Sequence, residues 1–306
     1  MLEYRPLVGA ELEAGMRLVL EASGSGLDVE RQVEALRGYA AAVGLRLDWQ
    51  WGAFRDGRLE SACLATVSPG RSAMLFLPGA GRAAAADVLV PLLVRILQDA
   101  GAQDVRLVQA MVGAGRCAEE HALRAAGFEF LAELVYMHRD ADALMPVPVV
   151  PEGLSWTTYG PDRHDLFART IAGTYQQSLD CPKLTGLRRI DDIIAGHQAA
   201  GEFDPQRWYV LFAGGSPAGV LLLARVPRRA VMEVVYMGLL PEQRGRGYGR
   251  ILLHRAICTA RGAGCVELSL AADAANAPAM RLYQSCGFVE TARRRAWIAI
   301  PPTPAA

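Results

Sequence analysis

Three glycines alternate with arginines and a tyrosine in Gln243-Arg244-Gly245-Arg246-Gly247-Tyr248-Gly249-Arg250. An apolar, strand-like run from Val234 to Leu240 precedes them and ends at Pro241. A helical pattern follows, with Ile251, Leu252, Ala256, Ile257 and Ala260 at helical spacing. Strand, glycine loop and helix make an anion cradle: glycines let backbone N–H groups turn inward, and a helix N-terminus adds partial positive charge. A pyrophosphate fits such a cradle, so the loop implies a nucleotide-bearing cofactor. It is not a P-loop, which needs a lysine after its last glycine; the single lysine of the chain is Lys183. Nor is it a dinucleotide fingerprint, because the glycines run G-x-G-x-G and the upstream sequence reads as a hairpin.

About thirty residues further on stand Asn276, Ala279, Leu282-Tyr283 and Gly287-Phe288, spaced N-x-x-A-x-x-L-Y-x-x-x-G-F. Together with R-x-x-G-x-G at Arg244, Gly247 and Gly249, this resembles the GNAT superfamily of acyl-CoA-dependent N-acyltransferases over roughly residues 205–300. The resemblance implies acetyl-CoA as cofactor and an amine of a small molecule or peptide as acceptor. It implies that pantetheine runs beside the backbone of Met237, Gly238 and Leu239. The pyrophosphate then meets N–H groups from Gly245 through Arg250, Tyr248 included, with charge from Arg244 and Arg246. Asn276 caps a helix or bonds pantetheine, and Tyr283 protonates the leaving thiolate. Asn276 and Tyr283 are seven apart, two helical turns, and share a face. Glu233, sixteen residues before Gly249, matches the glutamate base of some members; others use a water. Alternation puts Glu233 on one face with Val235 and Met237. Tyr175 and Asp180 belong to the segment expected to face the acceptor, while Asp191, Asp192 and His197 read as a solvated helix face. The alternative function is a non-catalytic acyl-CoA-binding regulator, which needs the loop but not Tyr283.

A chain of 306 residues with 52% hydrophobic content can fill two cores. Its 32 basic and 32 acidic residues balance, which argues against a nucleic-acid partner. The run Arg293-Arg294-Arg295 reads as a solvated edge. Six cysteines without a C-x-x-C pair, several in apolar patterns, suggest reduced, buried thiols and a cytoplasmic location. No run approaches membrane-spanning length, no signal-peptide core opens the chain, and the five histidines show no metal spacing. The oligomeric state is not legible.

The elements that must hold these residues occur twice. Gly101–Leu107 matches Gly262–Leu268 at an offset of 161, Gly127-Phe128 matches Gly287-Phe288 at 160, and Met74–Pro78 matches Met237–Pro241 at 163. Three landmarks in order argue for two copies of one fold: a tandem α/β architecture, each copy a mixed, mostly antiparallel sheet flanked by helices. Its layout is similar to that of mycothiol synthases, as architecture alone. The expected division is a degenerate domain over 1–145, a proline-rich linker at 146–151, a catalytic domain over 152–300 and a frayed tail at 301–306. The first copy has only Pro78-Gly79-Ala80-Gly81-Arg82 for a loop, Arg116 where the second has Asn276, and Leu123 where it has Tyr283.

Overall fold

The computed structural model describes residues 2–21, 28–78 and 86–302. The chain forms two compact units, Met1–Leu131 with Arg294–Ala306, and Ala132–Arg293. The glycine pair of the first copy, at 79–82, lies outside the described residues, as do positions 303–306 of the tail.

The first unit contains β1 (Leu2–Pro6), α1 (Glu11–Leu20), α2 (Val29–Val43), β2 (Gln50–Arg55), β3 (Arg58–Ser68), β4 (Ser72–Phe76), α3 (Ala86–Ala100), β5 (Leu107–Gly113) and α4 (Cys117–Ala125). The next strand, β6 (Glu129–Asp140), leads into the second unit. That unit continues with β7 (Leu154–Thr158), α5 (His164–Thr174), α6 (Ile190–Gln198), β8 (Trp208–Ala213), β9 (Ser216–Arg225), β10 (Val231–Leu239), α7 (Tyr248–Gly262), β11 (Glu267–Asp273) and α8 (Ala277–Ser285). The last strand is β12 (Val289–Ala299).

The strands of both units follow one plan. In the first, β1, β2, β3 and β4 pair antiparallel in sequence order, and β4 pairs parallel with β5 over Ser72–Leu75 and Leu107–Ala110. In the second, β7, β8, β9 and β10 repeat the antiparallel order, and β10 pairs parallel with β11. The strand that pairs with the fifth strand of each unit comes from the other half of the sequence. Residues 134–140 of β6 pair antiparallel with β11, and residues 294–299 of β12 pair antiparallel with β5. The units therefore do not divide at the proline-rich linker as expected. Trp297, 1% exposed, fills the first core beside Phe130 and under Arg124. Arg139, 2% exposed, fixes β6 in the second unit by donating to the carbonyl of Cys286. Each strand follows a Gly-Phe pair, Gly127-Phe128 or Gly287-Phe288, so that shared landmark does not show the exchange.

Local chemistry explains the elements that carry the site. Strand β9 is buried from Ala218 to Ala224, as a central strand covered on both faces must be. The buried stripe of α7, including Ile251, Leu252, Ala256, Ile257 and Ala260, packs on this sheet. Asn276 is the N-cap of α8; its side chain accepts from the N–H of Ala279 at 3.3 Å, and proline follows within the first turn. At the equivalent place in the first unit, Arg116 precedes α4 without a side-chain cap and instead donates to Glu119 and the carbonyl of Pro78. Leu123 is fully buried there. The basic run lies inside β12, with Arg293 paired to Glu290 and Arg295 to Glu120. All six cysteines are free; Cys117 and Cys258 are exposed, against the expectation of buried thiols.

Candidate active site

Strands β10 and β11 pair over three residues, Val231–Glu233 with Glu267–Ser269. Beyond Glu233 and Ser269 they part. A cavity of about 410 Å³ opens between them, lined by Val234–Leu239 on one side and Leu270–Ala272 on the other. Gly245, Gly247, Gly249, Arg250, Asn276 and Tyr283 share its wall, with Arg244 and Asp180. The β10–β9 register shifts between Val234 and Tyr236, a bulge that inserts Val235. The bulge corrects the alternation read from sequence. Met237 joins Val234 and Leu239 in the core against α7, whereas Val235 and Tyr236 pack on the opposite side with α5 and α6. Glu233 shares the face of Val235, not that of Met237.

The glycine loop leads into α7. Gly247 is its N-cap at φ +82°, and a Cβ there would meet open space within 4 Å. Among the described residues, the N–H groups of 245 through 249 make no loop or turn hydrogen bond to backbone. They form an uncommitted cluster of donors at a helix N-terminus. Side chains near the loop divide. Arg250 lines the cavity and donates to Ser285 Oγ at 3.0 Å. Arg246 is exposed and off the cavity wall, and the ring of Tyr248 is buried in the core. Arg244 donates to the carbonyls of Thr174, Gln176, Gln177 and Leu239 at 2.7–3.2 Å. Its guanidinium, expected to add charge for a phosphate, is taken up by carbonyls at the C-terminal end of α5.

Gly238 is hemmed in by its own chain: a Cβ would lie 2.8 Å from both Thr174 Oγ1 and the Tyr236 hydroxyl. Those two hydroxyls bond each other at 2.8 Å and tie α5 to β10. Tyr283 is 8% exposed, its ring edge-on to Phe288 at 5.9 Å. Burial, and secondarily the negative charge of Asp180, push its phenol above the ordinary value of 10. Asp180 sits in a turn after α5. Its Oδ1 accepts from the N–H of Asp273 at 2.9 Å, and Asp273 Oδ2 accepts from the N–H of Cys181 at 3.2 Å. Asp180 keeps exposed surface, but its carboxyl is enclosed by protein. Desolvation raises its pKa, and the neighbouring Asp273 charge adds to the rise. Burial alone raises Glu233, which lines neither this cavity nor its neighbour.

That neighbour is a second cavity of about 190 Å³, which shares Asp180, Val235 and Tyr236 with the first. Tyr175 lines it, with its phenol pushed up to about 12 by burial and its ring 5.3 Å from Tyr236. His197, expected on a solvated face, is instead stacked on Tyr236 at 5.4 Å, with its pKa pushed down to about 4, chiefly by burial. A neutral imidazole lets α6 pack there without burying charge. Asp191 on the same helix is exposed as expected. Sequence reasoning missed Tyr236, Asp273 and Arg188. Asp273 carried one signal, an acid just before a helix cap; Arg188 resembled an ordinary helix-start residue.

Residues 177–288 match the acetyltransferase (GNAT) family. Mycothiol acetyltransferase of Thermobispora bispora is 30% identical over 162 residues, covering 50% of this chain and 52% of that protein. The mycothiol acetyltransferase of Thermomonospora curvata is 31% identical over 180 residues, 58% and 59% of the two chains. The match thus spans between half and three-fifths of those relatives. A GCN5-related N-acetyltransferase from Sphaerobacter thermophilus shares the fold over 100% of this chain with a TM-score of 0.68 at 16% identity. A tandem GNAT protein from the clavulanic acid biosynthesis pathway does so with a TM-score of 0.54 at 19% identity. No helix among the described residues is long and apolar enough to cross a membrane. The chain shares the fold of a tandem GNAT protein, and its residues 177–288 match the acetyltransferase (GNAT) family.

Proposed function

We propose that this protein transfers an acetyl group from acetyl-CoA to the amine of a small molecule or peptide. The observation that carries the reading is the convergence of parted strands, an uncommitted glycine loop and Tyr283 on one cavity. The open space above Gly247 and the free N–H groups suit a pyrophosphate. The unpaired edge of β10 from Val234 to Leu239 suits a pantetheine arm running beside it, and Met237, Gly238, Leu239 and Asn276 are the residues that would line that arm.

Acetyl-CoA supplies an activated thioester, whose C–S bond breaks as the acceptor nitrogen bonds to the acetyl carbon. Two protons then need handling. Tyr283 holds one: its raised pKa keeps the phenol protonated at neutral pH, ready to donate to the departing thiolate. The ammonium of the acceptor must shed the other before attack, since alkyl amines ionise near ~10. Glu233 lies on the side of β10 that carries Val235 and Tyr236, off both cavity walls, and in this reading it acts through an intervening water. Asp180 and Tyr175 line that cavity and hold the acceptor. The first unit, with Leu123 for the tyrosine, is degenerate in this reading.

Thiol release from acetyl-CoA by the full chain, measured against a panel of amines, tests the proposal. Turnover with at least one amine is expected. Tight acetyl-CoA binding without turnover on any amine class would favour a non-catalytic acyl-CoA-binding regulator.

A further inference from the structure

Six guanidinium groups among the described residues have a buried Nε without a hydrogen-bond partner: those of Arg17, Arg71, Arg163, Arg188, Arg255 and Arg295. Arg17, Arg71, Arg163 and Arg295 each have a carboxylate within ion-pair distance. Arg255 lies over the rings of Trp156 and Tyr209. Arg188 has neither compensation. It lines the second cavity half-buried; the charge of Asp192 acts on it, but no ion pair joins the two. A partly desolvated guanidinium with free donors is costly unless something completes it.

The other walls of this cavity show what that something is. Among the described residues, Arg188 and Asp180 are the only charged side chains lining it, because burial holds His197 neutral at physiological pH. Asp180 is also the carboxylate shared with the larger cavity, where Tyr283 lies. One cavity thus offers a cation at Arg188 and an anion at the junction with the reaction site. A simple amine would leave Arg188 unsatisfied. A zwitterion would match both groups, since a guanidinium pairs well with planar carboxylate or phosphate oxygens.

We propose that the acceptor carries an anionic oxygen group held by Arg188, and that its ammonium is received by Asp180: an amino acid or a phosphoamine, not a simple amine. This rests on the acetyl-transfer reading. The test is calorimetric titration of matched pairs into the full chain saturated with CoA. Each of a set of L-amino acids is compared with its decarboxylated amine, and O-phosphoethanolamine with ethanolamine. At least one pair should favour the anion by about 10- to 100-fold, the span of a hydrogen bond to a charged group. Arg188→Gln should bring that pair to equal affinity, and the pair that responds distinguishes carboxylate from phosphate. No preference in any pair, or a preference that survives Arg188→Gln, would overturn the assignment. Should Arg188→Gln not fold, the comparison on the unmodified chain stands alone, and Arg188→Lys should retain part of the preference. Acceptors that bind with this preference but release no thiol from acetyl-CoA would refute acetyl transfer and leave the anion subsite standing.

Discussion

The backbone N–H of Asp273 donates to Asp180 Oδ1 at 2.9 Å, joining the turn after α5 to the end of β11. The reverse bond, from the N–H of Cys181 to Asp273 Oδ2, closes the pair. Asp273 also accepts from the N–H of Ala275 through Oδ1, so one side chain sets both the turn that carries Asp180 and the entry to α8. Asp273→Ala should therefore loosen two walls of the site at once. We expect a loss of about 1–3 kcal/mol, the usual cost of orphaning buried donors, read as a lowered denaturant midpoint. A midpoint equal to that of the unmodified chain would mean the pair is dispensable.

Tyr283→Phe removes one oxygen and leaves the ring against Phe288. Turnover should fall roughly 10²- to 10⁴-fold, the range for a lost general acid, with acetyl-CoA affinity nearly unchanged. Because the phenol is raised above 10, the unmodified enzyme should show no alkaline loss from this group below that pH. Steady-state rates and a binding titration on the same variant check both points; losses of rate and affinity in equal measure would make Tyr283 a cofactor contact only.

Gly247→Val forces a β-branched residue to φ +82°. Strain of this kind is about 1–3 kcal/mol, and the loop can relieve it only by turning its N–H groups. Acetyl-CoA affinity should drop about 10-fold or more by calorimetry. Unaltered affinity would place the pyrophosphate elsewhere.

Glu233 gives a pH prediction with a definite sign. Its folded pKa lies above the ordinary 4.5, so between the two values the folded state binds more protons than the unfolded state. Stability then falls as pH rises through that window. Glu233→Gln should melt higher than the unmodified chain at neutral pH, and the difference should vanish below the ordinary carboxyl range. Its rate deficit should be largest at neutral pH and shrink as free amine accumulates toward ~10. A superimposable pH–rate profile would remove Glu233 from the reaction.

Arg244 separates structure from binding. Arg244→Ala strips donors from three carbonyls at the end of α5 and from that of Leu239 at the end of β10, and should lower the melting temperature. If acetyl-CoA affinity fell while melting stayed constant, the guanidinium would serve the phosphate instead.

The sequence by itself determined the local parts of this protein. Periodicity and capping chemistry placed α7 after its glycines and α8 after Asn276, because such signals act within a few residues. The two motifs and the repeated landmarks were enough to identify two copies of one fold. Tertiary structure alone decided that β6 pairs with β11 and β12 with β5, because hydrogen-bonding edges are anonymous in sequence. It also decided which face Glu233 takes, since one bulge at Val235 reverses an alternation that counting assumes unbroken. Arg188, Asp180 and Asp273 lie far apart along the chain or in an irregular turn. Only packing of α5, α6 and β11 puts Arg188 and Asp180 on one cavity wall and ties Asp180 to Asp273, and burial there shifts the two cavity groups.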